Sequence, residues 1–208
     1  MEEVLDVSTR PYDPRFPQVC LDDVSKQLLR DTRVPLPATP GQPVRVDHEY
    51  ERGGVVNGFL TCEPLQGKRW VAVTEHRTKG DWAHQIREVV DGHDPDAERI
   101  VLVLDHLNTY SPASLYDASP PEEAKRLTDK LEIHDTPTHG SWLTMAAIEL
   151  RVLSRPCLAR RIPDLAACQA EVAAWQEHRN AAGGTITWRF TTDDASIKLK
   201  RLYPSIDE

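Results

Sequence analysis

Residues 100–110 read Ile100-Val101-Leu102-Val103-Leu104-Asp105-His106-Leu107-Asn108-Thr109-Tyr110. The run Ile100 to Leu104 is five apolar residues, three of them β-branched, which predicts a strand buried on both faces. A carboxylate directly after such a strand stands at the C-terminal edge of its sheet, where α/β proteins keep their chemistry. Taken alone, Asp105 is equally well explained as a cap for the following turn.

Asp105 is not alone. A second strand ends in acids upstream, in Val19-Cys20-Leu21-Asp22-Asp23, and a long apolar helix runs downstream from Trp142 to Leu153. Two strand-end carboxylates followed by a helix is the layout of a ribonuclease-H-like nuclease. There, acidic side chains hold two divalent metals roughly 4 Å apart for in-line attack on a phosphodiester. The segments Cys20-Leu21-Asp22-Asp23, Leu104-Asp105-His106-Leu107-Asn108-Thr109-Tyr110 and Thr136-Pro137-Thr138-His139-Gly140-Ser141-Trp142-Leu143 go further. They resemble the catalytic domain of bacterial insertion-sequence transposases in the mariner-related DDE superfamily.

The bulk properties fit a globular chain. At 208 residues one domain of ordinary size is expected, with room for an appended segment. No apolar run approaches the ~20 residues of a membrane helix, and Met1-Glu2-Glu3-Val4 is acidic where a signal peptide is basic. A cytoplasmic protein without a membrane partner is the expectation. Cys20, Cys62, Cys157 and Cys168 show neither CxxC nor zinc-site spacing, so they are read as reduced packing residues. The formal charge of −8 argues against a surface that grips DNA everywhere, and confines DNA contact to local clusters.

Along the chain, residues 1–17 read as an extended lead-in on the surface, since Pro11, Pro14 and Pro17 exclude helix there. Gln18 to Asp22 is the first strand, the prolines between Asp31 and Pro43 make a loop, and Arg45 to Tyr50 alternates like a half-exposed strand. Gly53-Gly54 reads as a turn before two strands, Val55 to Cys62 and Arg69 to Thr74, joined at Gly67. Amphipathic helices are expected over Lys79 to Val90, Pro120 to Lys130 and Ser141 to Arg155, the last capped by Ser141, with a short strand at Leu131 to Thr136. Beyond Pro156, a helix from Pro163 to Asn180 carries Leu165, Cys168, Val172 and Trp175 on one face. Thr185 to Phe190 alternates like a strand, and Thr192 opens a final helix. The division is therefore 1–17 lead-in, 18–155 α/β catalytic domain of ribonuclease-H-like architecture with a mixed sheet and flanking helices, and 156–208 helical extension.

The resemblance implies that Asp22 and Asp105 hold two Mg²⁺ or Mn²⁺ ions for DNA strand cleavage and strand transfer. It implies DNA partners, both element ends and target, a separate N-terminal helix-turn-helix polypeptide, and a homodimer. Asp23, one residue along the strand from Asp22, points to the other face and is not expected to be a ligand. The third acid of the family falls, position by position, on Ala147, with Thr144 in place of the usual Asn. Glu149 is the nearest carboxylate, but two residues along a helix is a rotation of roughly 200°. It lies among apolar neighbours, where a carboxylate requires an ion pair or a metal. Glu149 is thus either a structural ion-pair member or a displaced third ligand.

His106, Tyr110 and Thr138 also depart from the family pattern, and His106 and His139 are either metal neighbours or solvated polar residues. Candidate phosphate contacts are Arg151, Arg155, Arg160 and Arg161, and on the last helix Lys198, Lys200 and Arg201, each cluster being equally a solvated face. Trp188 and Phe190 either stack on an unpaired base or pack the tail. Two functions follow: a transposase catalytic domain impaired at Ala147, or a catalytically silent, transposase-derived DNA-binding or interaction module.

Overall fold

In the computed structural model, which describes residues 1–105, 110–137 and 140–198, five strands form one sheet. They are β1 (Gln18–Asp31), β2 (Tyr50–Glu63), β3 (Lys68–Thr74), β4 (Ile100–Leu104) and β5 (Leu131–Asp135). Their spatial order is β3-β2-β1-β4-β5. The first three make an antiparallel meander, and β4 and β5 run parallel to β1. This is the mixed sheet of the ribonuclease-H-like fold.

Helices cover both faces: α1 (Glu2–Ser8), α2 (Lys79–Arg87), α3 (Pro112–Ala118), α4 (Pro121–Asp129), α5 (Met145–Leu153), α6 (Leu165–Ala181) and α7 (Thr192–Lys198). The alternation of β4 divides the core. Val101 and Val103 face one cluster with Leu143, Met145, Ala146, Leu150 and Leu153. Ile100, Leu102 and Leu104 face another with Trp82, Ile86, Leu115 and Leu127. All five β4 side chains are buried, as an apolar run between two helical layers requires.

Several elements differ from the sequence expectation. Residues 2–8 are helical, and Val4, Leu5 and Val7 enter the core beside Val101; the prolines that exclude helix all lie after residue 10. The first strand continues to Asp31 because β2 pairs with it along its length. Gly53-Gly54 does not reverse the chain but stays within β2, opposite a register slip between Gln27 and Leu29. A Cβ on Gly53 would sit 2.8 Å from the Pro163 carbonyl, so that glycine serves close backbone approach. Arg45 contributes a single bridge to Leu36 instead of a strand. Residues 185–190 form no strand, and Ile186, Trp188 and Phe190 pack the tail on the core.

β3 is an edge strand, and α6 seals it with side-chain amides. Asn180 accepts from the Arg69 N–H at 2.9 Å and donates to the Arg69 carbonyl at 2.8 Å. Gln176 accepts from the Val71 N–H at 2.7 Å, and Gln169 donates to the Val73 carbonyl at 3.2 Å. Alternate residues of β3 thereby find partners that a sixth strand would otherwise supply.

Candidate active site

Leu21 and Leu104 are register partners in the parallel β1/β4 pair. Both belong to the core under α2 and α4, so the next residues, Asp22 and Asp105, project to the opposite face, the one α5 covers. The two carboxylates act on each other there. Burial first, and then the negative charges of Asp105 and Asp23, push the Asp22 carboxyl up to about 7 against a hydrogen bond from the Asp23 N–H. That bond, to Asp22 Oδ1, is 2.8 Å.

Asp105 is held at both oxygens. Thr136 Oγ1 donates to Oδ1 at 2.7 Å and Ser141 Oγ donates to Oδ2 at 3.0 Å. Sequence reasoning missed both roles and made Ser141 a helix cap. The usable signal is position: Thr136 directly follows β5, and Thr136 N–H bonds the Leu104 carbonyl at 2.9 Å, which brings the hydroxyl beside Asp105.

Asp23 points away from Asp22, as expected. Its side chain is 3% exposed and takes Arg77 Nη1 at 3.0 Å and the Tyr110 hydroxyl at 2.7 Å. Burial and then Asp23 push the Tyr110 phenol up, so it stays a donor. Tyr110 stacks on Trp82, with centroids 5.8 Å apart. This anchor fixes the backbone that aims Asp22.

The helix bearing the third position is built differently from expectation. Ser141–Leu143 is a 3₁₀ turn, Thr144 breaks it with extended dihedrals, and α5 begins at Met145 with Thr144 accepting from Ala146 N–H at 3.2 Å. Ala147 lies in the first turn of α5, and an alanine there offers no donor atom.

Glu149 does not substitute for it. It is fully buried and ion-paired to Arg69 at 2.8 Å and to Arg179 at 3.0 Å. Burial pushes its carboxyl up, but the two guanidinium groups outweigh that and hold it below its ordinary value. Glu149, Arg69 and Arg179 thus form one ion-paired cluster, with the carboxylate at its buried centre. Of the alternatives for Glu149, the structural ion pair is the one observed. Among the described residues no three His, Cys, Asp or Glu side chains converge.

The cationic candidates divide similarly. Arg151, in the last turn of α5, and Arg155, just beyond it, are exposed. Arg160 pairs with Glu171; Arg161 pairs with Asp31 and lies over the Tyr50 ring. Lys198 pairs with Asp194 at 3.4 Å. Residues 106–109, 138 and 139, with His106, Thr138 and His139 among them, lie outside the described residues, as do Lys200 and Arg201.

A family model described as DDE superfamily endonuclease matches residues 17–169, from the start of the first strand into α6. The chain belongs to that family. Among solved structures it is similar to the Mos1 mariner paired end complex with Mn, at 13% identity and TM-score 0.39, over 89% of this chain and 60% of that one. It is also similar to the Mos1 transposase paired-end complex with left transposon end, at 11% identity and TM-score 0.43, over 90% and 62%. A third is the Mos1 Strand Transfer Complex, at 10% identity and TM-score 0.41, over 89% and 61%. This DDE endonuclease chain thus spans about three fifths of the length of those transposases. No curated protein matches it.

Proposed function

We propose that this chain is a DDE transposase catalytic domain that retains a two-carboxylate site for one divalent ion and has lost efficient strand cleavage and transfer at Ala147. The observation that carries this reading is the pairing of Asp22 and Asp105, which follow the register partners Leu21 and Leu104, with Glu149, the acid nearest in sequence to Ala147, committed to Arg69 and Arg179. Two carboxylate groups that repel each other on a partly buried face suit one oxygen-ligated divalent cation such as Mg²⁺ or Mn²⁺. They do not suit a second ion, for which a further acid is required.

A bound cation would supply Lewis-acid activation of water or a 3′-hydroxyl near neutral pH. The chain's own residues do the positioning. Thr136 and Ser141 orient Asp105, the Asp23–Tyr110–Arg77 anchor aims Asp22, and α5 presents position 147 from a helix N-terminus that favours a carboxylate. DNA is the proposed substrate, tracked by Arg151 and Arg155, with the helix-turn-helix part on a separate polypeptide and two copies bringing the element ends together. Residues 18–155 are the proposed catalytic unit and 156–208 its extension.

Metal-dependent nicking of supercoiled DNA tests the reading. The wild type is expected to be nearly inactive and Ala147→Glu faster by on the order of 100-fold, with the gain abolished when Asp22→Asn is added. Wild-type nicking as fast as Ala147→Glu, and lost in Asp105→Asn, would sink it.

A further inference from the structure

Ser141 Oγ donates to Asp105 Oδ2 at 3.0 Å, and one backbone step of about 3.8 Å further on stands Trp142. Of the five tryptophans Trp142 alone is exposed, at 46%. A large ring left in water beside a carboxylate pair is unusual, since indoles are ordinarily well covered. The 3₁₀ turn Ser141–Leu143 puts it there. Leu143 is buried in the core and Ser141 is tied to Asp105, so the side chain between them is left to the solvent.

Phe190 meets the indole in a tilted, edge-on contact, with ring centroids 6.1 Å apart and planes at 64°. Such a contact takes at most one face of the indole and fixes its orientation. Lys198 Nζ lies 5.4 Å from the Phe190 centroid. Arg151, one helical turn beyond Ala147 on α5, is exposed, as is Arg155. The aromatics that the sequence offered for stacking are used otherwise: Trp188 Nε1 donates to the Phe190 carbonyl at 2.7 Å, and both rings pack against the core. An open π face beside the carboxylate pair, with exposed cations on the adjoining helix, suits a nucleobase whose strand carries its phosphates past the cations.

We infer that Trp142 is the stacking platform for one unpaired base of the DNA strand brought to Asp22 and Asp105, so that this site takes a frayed or single-stranded terminus and not a continuous duplex. The inference rests on the DNA substrate proposed above and not on cleavage. Every base has a π face, so Trp142 positions the strand and reads no sequence.

Binding of a duplex with a single-stranded tail, carrying the fluorescent base 2-aminopurine in the tail, tests the inference on the full chain in Mg²⁺, with the blunt duplex as comparison. The wild type is expected to quench the tail base and to bind the tailed duplex more tightly than the blunt one. Trp142→Leu, which keeps apolar packing against Phe190, is expected to lose the quenching and about ten-fold in affinity. Its salt dependence should stay that of the wild type, because stacking releases no counterions. Trp142→Phe is expected to keep the quenching. Quenching by the wild type while Ala147→Glu fails to nick would support the platform and sink the catalytic reading. Equal affinity for tailed and blunt duplexes, quenching unchanged in a folded Trp142→Leu, or a Trp142→Leu that loses self-association without altered DNA binding overturns the platform. Nicking by Ala147→Glu would then leave the catalytic reading in place.

Discussion

Glu149 shows how a carboxylate two residues along the helix from Ala147 becomes structural. Its partners lie 80 and 30 residues away in the chain. The sequence therefore raised the ion-pair reading without naming Arg69 or Arg179. Glu149→Ala leaves two guanidinium groups facing a buried gap, and chemical denaturation is expected to show a loss of about 3–5 kcal/mol. Its response to divalent ions should stay that of the wild type. Glu63 carries the opposite imbalance. It is 2% exposed, its Oε1 has no partner, and burial together with the Asp94 charge pushes its carboxyl up to about 7 despite Lys68. The folded state then holds a proton that the unfolded state has released between pH 4.5 and 7, so stability falls as pH rises through that window. Glu63→Gln should flatten the fall, by on the order of 1–2 kcal/mol at pH 8 allowing for solvent screening, in urea titrations across pH. Asp22 and Asp105 were legible because each sits at a period-2 strand position beside an apolar run. Thr136 and Ser141 were not, because their roles depend on the β4/β5 register.

At the scale of elements, the apolar run Ile100–Leu104 and the meander around Gly67 were readable from composition and turn residues. The bounds of β1 and α5 were not. β1 is lengthened by pairing with β2, a long-range effect, and α5 is shortened because Thr144 takes extended dihedrals and caps the next residues. The seal on β3 was also hidden. Gln169, Gln176 and Asn180 share one helix face by spacing, yet polar residues at such spacing ordinarily mean a solvated surface. Their partners are backbone groups, which carry no sequence signature. Gln176→Ala combined with Asn180→Ala removes three of these bonds. The double variant is expected to lose about 2–4 kcal/mol and to associate with rising concentration in sedimentation experiments, as an opened edge strand does. A monomer of wild-type stability would show that the seal is decorative.

At the scale of the molecule, the ribonuclease-H-like order β3-β2-β1-β4-β5 brings Asp22 of the central strand beside Asp105 at the end of β4, although they are far apart in sequence. The C-terminal segment, read as an appended extension, does more than pack. Through Arg179 it neutralises Glu149, and through Arg69 it meets the Gly67 turn, where a Cβ would stand 2.9 Å from the Gly183 carbonyl. The two guanidinium groups thereby hold Glu149 in the core, while α5 carries Ala147 as the third residue after the Thr144 cap. The most direct test of that account is a thermal-shift titration with Mn²⁺ on the wild type, Asp105→Asn and Ala147→Glu, since a ligand of the folded state alone raises stability by RT ln(1 + [L]/Kd). The quantity compared is the Mn²⁺-dependent increment, because a glutamate at the third position after the Thr144 cap also stabilises the helix without metal. The account predicts a modest saturable increment in the wild type, none in Asp105→Asn, and one saturating at lower Mn²⁺ in Ala147→Glu. An increment that survives Asp105→Asn, or that Ala147→Glu leaves unchanged, would contradict it.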